Sequence, residues 1–336
     1  MRPTLVLPLA LLFACGTEPE PQPEPTGPLD VRSLSFPAHW LVQQVGGEHV
    51  QLRSILPVGE DAPHWRPGAE LIAGLADADL LVANGAGFEA WTATATLPGD
   101  KLIRTAAGVE LIKMGSTTHS HGADGSHSHG VTDPHTWGAP SVYAQQARAL
   151  AAALGQADPE HAAAYIQAAD ALTVELQGLT TGYTDALGRA GDTKLASNQP
   201  AYNYLAREAG IEIHAFDFDP AKAPGEEAVS AFSTWAGDAE GPVLLWEAVP
   251  TSEVKAAFPD GVRHVWLDPL EQPAAGGDYD YLAQARANVR VFAELFPAQA
   301  LEANKTPGQK PPTPGAPASA KPGPRKMKEK GIKGKR

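Results

Sequence analysis

Two α/β lobes facing each other across a cleft and joined by one long rigid helix form the fold that three features of the sequence predict. The chain has 336 residues, more than one hydrophobic core usually organises. Short runs rich in β-branched residues alternate with helical stretches in two separate series, the signature of α/β architecture. Between the series lies one extended stripe of apolar residues at three- and four-residue steps.

In chain order, the first series places strands at Val31–Ser35, Val50–Ile55, Leu80–Val82 and Leu102–Arg104. Its helices are expected at Pro67–Ala78, with Leu71, Ile72 and Leu75 on one face, and at Ala139–Leu154, with Val142, Ala147, Leu150 and Leu154 on one face. Residues 30–157 make up this N-terminal lobe. The connecting helix, residues 158–190, starts at Asp158-Pro159-Glu160, an N-cap aspartate followed by proline at the first helical position. Its stripe runs through Tyr165, Ile166, Ala169, Leu172, Leu176, Leu179, Tyr183 and Leu187. Gly178 and Gly182 each weaken it by about 1 kcal/mol relative to alanine, so a bend is conceivable there, but the segment reads as one element.

The second series, residues 191–303, places strands at Leu195–Ala196, Ile211–Phe216, Val243–Trp246 and Val265–Leu267. Helices follow at Ala201–Ala209, Glu226–Trp235 and Tyr279–Leu295. Ligands of open α/β sheets bind beyond the C-terminal ends of the strands, so polar residues just after strands are the candidates for a site.

The ends of the chain differ from its body. Residues 1–15 combine Met1-Arg2, the apolar run Leu5–Ala14 and Cys15, the only cysteine. The run is too short to span a bilayer and reads as a lipoprotein-type signal peptide with Cys15 as the acylation site. Residues 16–29 are proline- and glutamate-rich, as expected of an extended tether. Residues 304–336 hold ten of the 26 Lys and Arg residues but one of the 39 Asp and Glu residues, a composition expected to stay disordered. The body is therefore strongly acidic, which argues against nucleic acid as a partner and suits a collector of cations. Together these features predict an extracytoplasmic protein of the cell envelope, held to a membrane by an N-terminal lipid.

The densest chemical signal is HSHGADGSHSHG, where His119, His121, His127 and His129 fall within eleven positions. Imidazole suits zinc, copper and nickel better than calcium or magnesium. Small residues around these histidines make a loop that would bind a metal weakly and exchange it quickly, because ordering it costs backbone entropy. A tight site needs ligands converging from separate elements. Two histidines stand out, His64 in GEDAPHW and His135 in TDPHTW, each after a proline that stiffens the backbone and before or near a tryptophan that can shield the ring. No Gly-x-Ser-x-Gly, HExxH or phosphate-binding glycine loop occurs, so no enzyme is indicated.

The stretch Val50–Trp91, together with DPHTW, DPEHAAAYIQAADAL and WLDPL, resembles the metal-specific solute-binding lipoproteins of bacterial zinc and manganese ABC importers. The resemblance runs from Val31 to about Phe296, and the histidine-rich loop is similar to that of the zinc branch. It implies a metal cleft between the lobes, and it places His64 and His135 as the first two ligands, Gln199 at the third position and Asp268 as the late carboxylate. Gln199 departs from the histidine or glutamate of the family, since a neutral amide oxygen is a poorer zinc ligand. The implied function is capture of zinc and its delivery to an ABC importer permease, by a protein expected to be a monomer. Manganese or iron as cargo, an envelope metal buffer or adhesin, and a zinc hydrolase are the alternatives.

Overall fold

The computed structural model describes residues 27–114, 118–120, 126–128, 132–273 and 278–298. Cys15, residues 16–26 of the tether, the basic tail, His121 and His129 lie outside the described residues, while the last tether residue, Leu29, opens the first strand. Elements follow in the order β1 (Leu29–Ser33), α1 (Phe36–Gly46), β2 (Val50–Ser54), α2 (Ala69–Gly74), β3 (Leu80–Ala83) and β4 (Leu102–Arg104). A short hairpin, β5 (Thr118–Ser120) and β6 (Ser126–Ser128), precedes α3 (Pro140–Ala157) and α4 (Ala162–Leu187). The second half contains β7 (Leu195–Ser197), α5 (Asn203–Ala209), β8 (His214–Ala215), α6 (Glu226–Ala236), β9 (Val243–Trp246), α7 (Ser252–Ala256), β10 (Arg263–Trp266) and α8 (Tyr281–Leu295).

Each lobe is built on a four-stranded parallel sheet, in the order β2-β1-β3-β4 for the first and β10-β9-β7-β8 for the second. Val31 is flanked in register by Leu52 and Leu80, and Ala196 by Leu244 and His214. The chain reverses its direction of travel across the sheet between β1 and β3 in one lobe and between β7 and β9 in the other, which marks both as crevices for a ligand. Strands β3 and β9 are buried along their whole length, and they read as continuous apolar runs because helices cover both faces.

Helix α1 was not foreseen from the sequence, and its surroundings explain why. Phe36, Pro37, Ala38, Trp40, Leu41, Val42, Val45 and Gly46 are all buried, so the apolar residues do not confine themselves to one face. The hydroxyl of its N-cap Ser35 makes no cap and donates instead to Glu89 Oε1 at 2.6 Å. The strand expected at 211–216 contracts to His214–Ala215, and the helix expected at 67–78 is α2 followed by a 3-10 turn at Leu75–Asp77.

Helix α4 passes through Gly178 and Gly182 unbroken. The connection between the lobes is nevertheless a pair of helices. The early residues of α4, from Tyr165 to Leu179, lie in the core of the first lobe, while Tyr183, Ala186 and Leu187 lie in the core of the second. Helix α8 repeats the division, with Tyr281 and Ala285 in the first core and Phe292 in the second. The two helices are tied by Tyr183 Oη donating to the Ala285 carbonyl at 3.1 Å, and they approach closely where Gly182 faces Val289.

Candidate metal centre

In each lobe the strand beside the crevice ends in a buried asparagine, Asn84 after β3 and Asn198 after β7. Asn84 Nδ2 donates to the Pro134 carbonyl at 2.9 Å, and its Oδ1 accepts from Thr136 Oγ1 and Gln146 Nε2, both at 2.8 Å. This amide fixes the backbone on either side of His135. Asn84 is held in turn by Glu89, whose Oε1 accepts from the Asn84 N–H at 2.8 Å and whose Oε2 accepts from the Gly85 N–H at 3.0 Å. Burial pushes the Glu89 carboxyl above its ordinary range, against the pull of these hydrogen bonds.

His135 is 2% exposed, and both ring nitrogens face carboxylates. Asp133 Oδ1 accepts from the His135 backbone N–H at 2.9 Å and lies 2.6 Å from Nδ1. Glu271 Oε1 lies 3.1 Å from Nε2. Burial disfavours a charged ring, but the charge and hydrogen bond of Asp133 and those of Glu271 outweigh it, and the pKa is raised to about 10. A divalent cation at Nε2 would take the place of that proton. Phe88 and Trp137 wall the ring, with centroids 6.4 and 5.4 Å from it.

Asp268, expected as the late carboxylate, is oriented by its neighbours. Its Oδ1 accepts from the Leu270 N–H at 2.8 Å and its Oδ2 from Gln284 Nε2 at 2.7 Å, while Asn288 bonds both its N–H and its carbonyl. These bonds hold a turn in which Leu270 adopts φ 60°, an unfavourable conformation for a side chain of its size. The turn brings Glu271 round to His135, so a second carboxylate stands beside the expected Asp268 as a candidate ligand. Sequence reading missed Glu271, although it directly follows the DPL motif.

His64 lies on the loop after β2, beside an open cleft of about 570 Å³ lined by Gly59, Glu60, Asp61, Trp65 and Arg66. Its Nδ1 is 2.5 Å from Asp61 Oδ2, which leaves coordination to Nε2. Both histidines are thus oriented through Nδ1 by a carboxylate two or three residues earlier, as metal-binding histidines commonly are. The Asp in EDAPH and in TDPH was a legible signal that went unread. The pairing is not sufficient evidence of a ligand, since His161, stacked on His49, makes the same contact with Asp158 at 2.7 Å. Gln199 is 1% exposed and occupies the N-cap position of the 3-10 turn Pro200–Tyr202 without a side-chain cap bond, its backbone carbonyl accepting from Ser197 Oγ at 2.6 Å.

The structure brings His135 to Glu271. Among the described residues, no group of three or more His, Cys, Asp or Glu side chains that could hold a metal ion is assembled. In the histidine-rich segment, β5 and β6 pair antiparallel with His119 opposite His127. His39 sits against Ser33 Oγ at 2.8 Å, and His264 accepts from Trp246 Nε1 at 3.0 Å, both as packing residues.

Two parallel sheets each reverse beside a buried asparagine, and a carboxylate-oriented imidazole of the first half of the chain meets Glu271 of the second. The family model for the periplasmic zinc-uptake complex component A matches residues 34–295, and the chain belongs to that family. A Treponema pallidum protein described as metal-binding is 29% identical over 182 residues, covering 51% of this chain and 56% of its own length. The high-affinity zinc uptake system protein ZnuA of Bacillus subtilis is 23% identical, with 67% of this chain and 73% of its own length covered. The chain thus spans little more than half of the first of these relatives. The fold is that of the Zn(II)-bound ZnuA-like domain of Streptococcus pneumoniae AdcA, with a TM-score of 0.66 at 20% identity, covering 80% of this chain and 99% of that one.

Proposed function

We propose that the protein captures zinc outside the cytoplasm and passes it to the permease of an ABC importer, with His135 and Glu271 as the primary ligands and His64 as the third. The observation that carries this reading is His135 Nε2 held against Glu271 while buried Asp133 fixes Nδ1. Imidazole and carboxylate together suit zinc, and a ligand set spread over two lobes suits binding and release without any bond being broken. In this reading the histidine-rich segment around His119, His121, His127 and His129 recruits the ion, Gln199 or water fills the fourth position, and Cys15 carries the lipid anchor. Asp268 shapes the turn that presents Glu271. Membership of a solute-binding transport family and the lack of a catalytic motif support a protein that is not an enzyme.

Calorimetry on metal-free protein tests the proposal. Wild type is expected to show one saturable zinc site that survives deletion of residues 119–130 and disappears in His135→Ala. Absence of a site tighter than the isolated loop would refute it. Manganese is the second reading, favoured by the oxygen donors of Glu271 and Gln199; competition between the two ions on wild type separates them.

A further inference from the structure

The C-terminal lobe supplies no imidazole at position 199, yet besides Glu271 it makes a second contact with the metal centre. Asn203, the first residue of α5, lies one helical turn beyond Gln199 and donates from Nδ2 to Asp133 Oδ2 at 3.0 Å. Asp133 is fully buried, and its other oxygen receives both the backbone and the ring N–H of His135. A carboxylate only accepts, so the amide nitrogen of Asn203 must be the group that faces it. The next residue reinforces the contact: Tyr204 Oη donates to the Asp133 carbonyl at 3.0 Å and accepts from the Ile112 N–H at 3.1 Å. Leu205 and Ala206 anchor the same helix in the core of the second lobe.

We propose that Asn203 is a positioning residue that couples helix α5 of the C-terminal lobe to the metal on His135 through Asp133. This inference rests on the capture reading above. A cation at Nε2 draws electron density from the ring, strengthens the Nδ1–H···Asp133 hydrogen bond and polarises the carboxylate that Asn203 holds. Metal affinity and the seating of α5 against the Asp133 loop then belong to one linked equilibrium, in which each stabilises the other by the same amount. The amide does by an outer contact part of what a histidine at 199 would do directly.

The test is zinc titration of the full chain as wild type, Asn203→Leu, Asp133→Asn and the double variant, with the visible spectrum of the cobalt-loaded protein as a second readout. Asn203→Leu, close in shape but without a donor, is expected to weaken zinc by about 10- to 100-fold, the usual effect of losing an outer-shell partner, and to shift the cobalt bands. In the Asp133→Asn background the same change should cost little, because the relay is already cut. Asn203→Gln, which keeps the amide on a longer stem, should recover part of the affinity and guards against a folding defect in the leucine variant. A wild type without a saturable site would overturn the capture reading itself. A wild type that binds, with Asn203→Leu binding equally well or losing as much in the Asp133→Asn background, would overturn the relay alone.

Discussion

Glu271 Oε1 and His135 Nε2 stand 3.1 Å apart although 136 positions separate them in the chain, and this contact between the two halves of the protein is the kernel of the candidate site. It predicts different outcomes for two neighbouring carboxylates. Glu271→Ala should reduce zinc affinity by more than the about 10- to 100-fold expected of an outer-shell change, whereas Asp268→Ala should fall within that range because it acts through the Leu270 turn. Titration calorimetry of the two variants ranks them, and the reverse order would assign the direct ligand to Asp268.

Gln199→His places an imidazole at the position proposed for the fourth ligand. Zinc affinity is expected to rise by a larger factor than manganese affinity. Competition titrations measure both, and an unchanged zinc affinity would remove residue 199 from the ligand set.

Glu89→Ala strips the acceptors from the Asn84 and Gly85 N–H groups inside the first lobe. Each orphaned donor costs about 1–3 kcal/mol, so chemical denaturation should show a clear loss of stability. Because Asn84 fixes Pro134 and Thr136, zinc affinity should fall together with it.

Acid should destabilise the second lobe through His264. Burial, with a smaller push from Lys255, holds its pKa below the ordinary value, and Trp246 donates to its Nδ1. A depressed histidine pKa means that the folded state binds its proton less readily than the unfolded chain. The stability it contributes is therefore intact above about 6.5, the unfolded value, and is lost as pH falls from there toward the folded value. Melting temperatures of metal-free protein between pH 7 and 5 should fall more steeply for wild type than for His264→Gln, whose amide oxygen can still accept from Trp246.

The two glycines of α4 should respond differently to alanine. A Cβ at Gly178 meets nothing within 4 Å, so Gly178→Ala should stabilise the protein by about 0.5–1 kcal/mol. At Gly182 a Cβ would come 3.0 Å from Val289 Cγ1, and crowding between α4 and α8 should cancel or reverse that gain. Thermal unfolding of the two variants distinguishes them.

The alternation of strands and helices, the long helix and the two proline-histidine loops were legible because each is written in local pattern. Helix α1 was hidden by burial on nearly every side and by a cap hydroxyl diverted to Glu89. Glu271 was hidden because its role depends on a left-handed residue, Leu270, and local pattern gives no sign that a leucine will adopt that conformation. The motif drew attention to Asp268, and the turn sets Glu271, three residues further, against His135. Asn203 was invisible for another reason, since its partner lies 70 positions away and an asparagine at a helix start ordinarily reads as a cap.

The division of α8 between the two cores bears on how the chain reaches its native state. Tyr281 packs against Trp40 and Tyr143, with ring centroids 5.2 and 4.6 Å away, and its hydroxyl donates to the Trp137 carbonyl at 2.7 Å. The first lobe therefore has a gap among its aromatic residues until the last described helix has been made. As the chain emerges from the ribosome N-terminus first, completion of the first lobe's aromatic core is expected to wait for α8. The contact of His135 with Glu271 is expected to form late as well, since the two residues come from opposite halves of the chain.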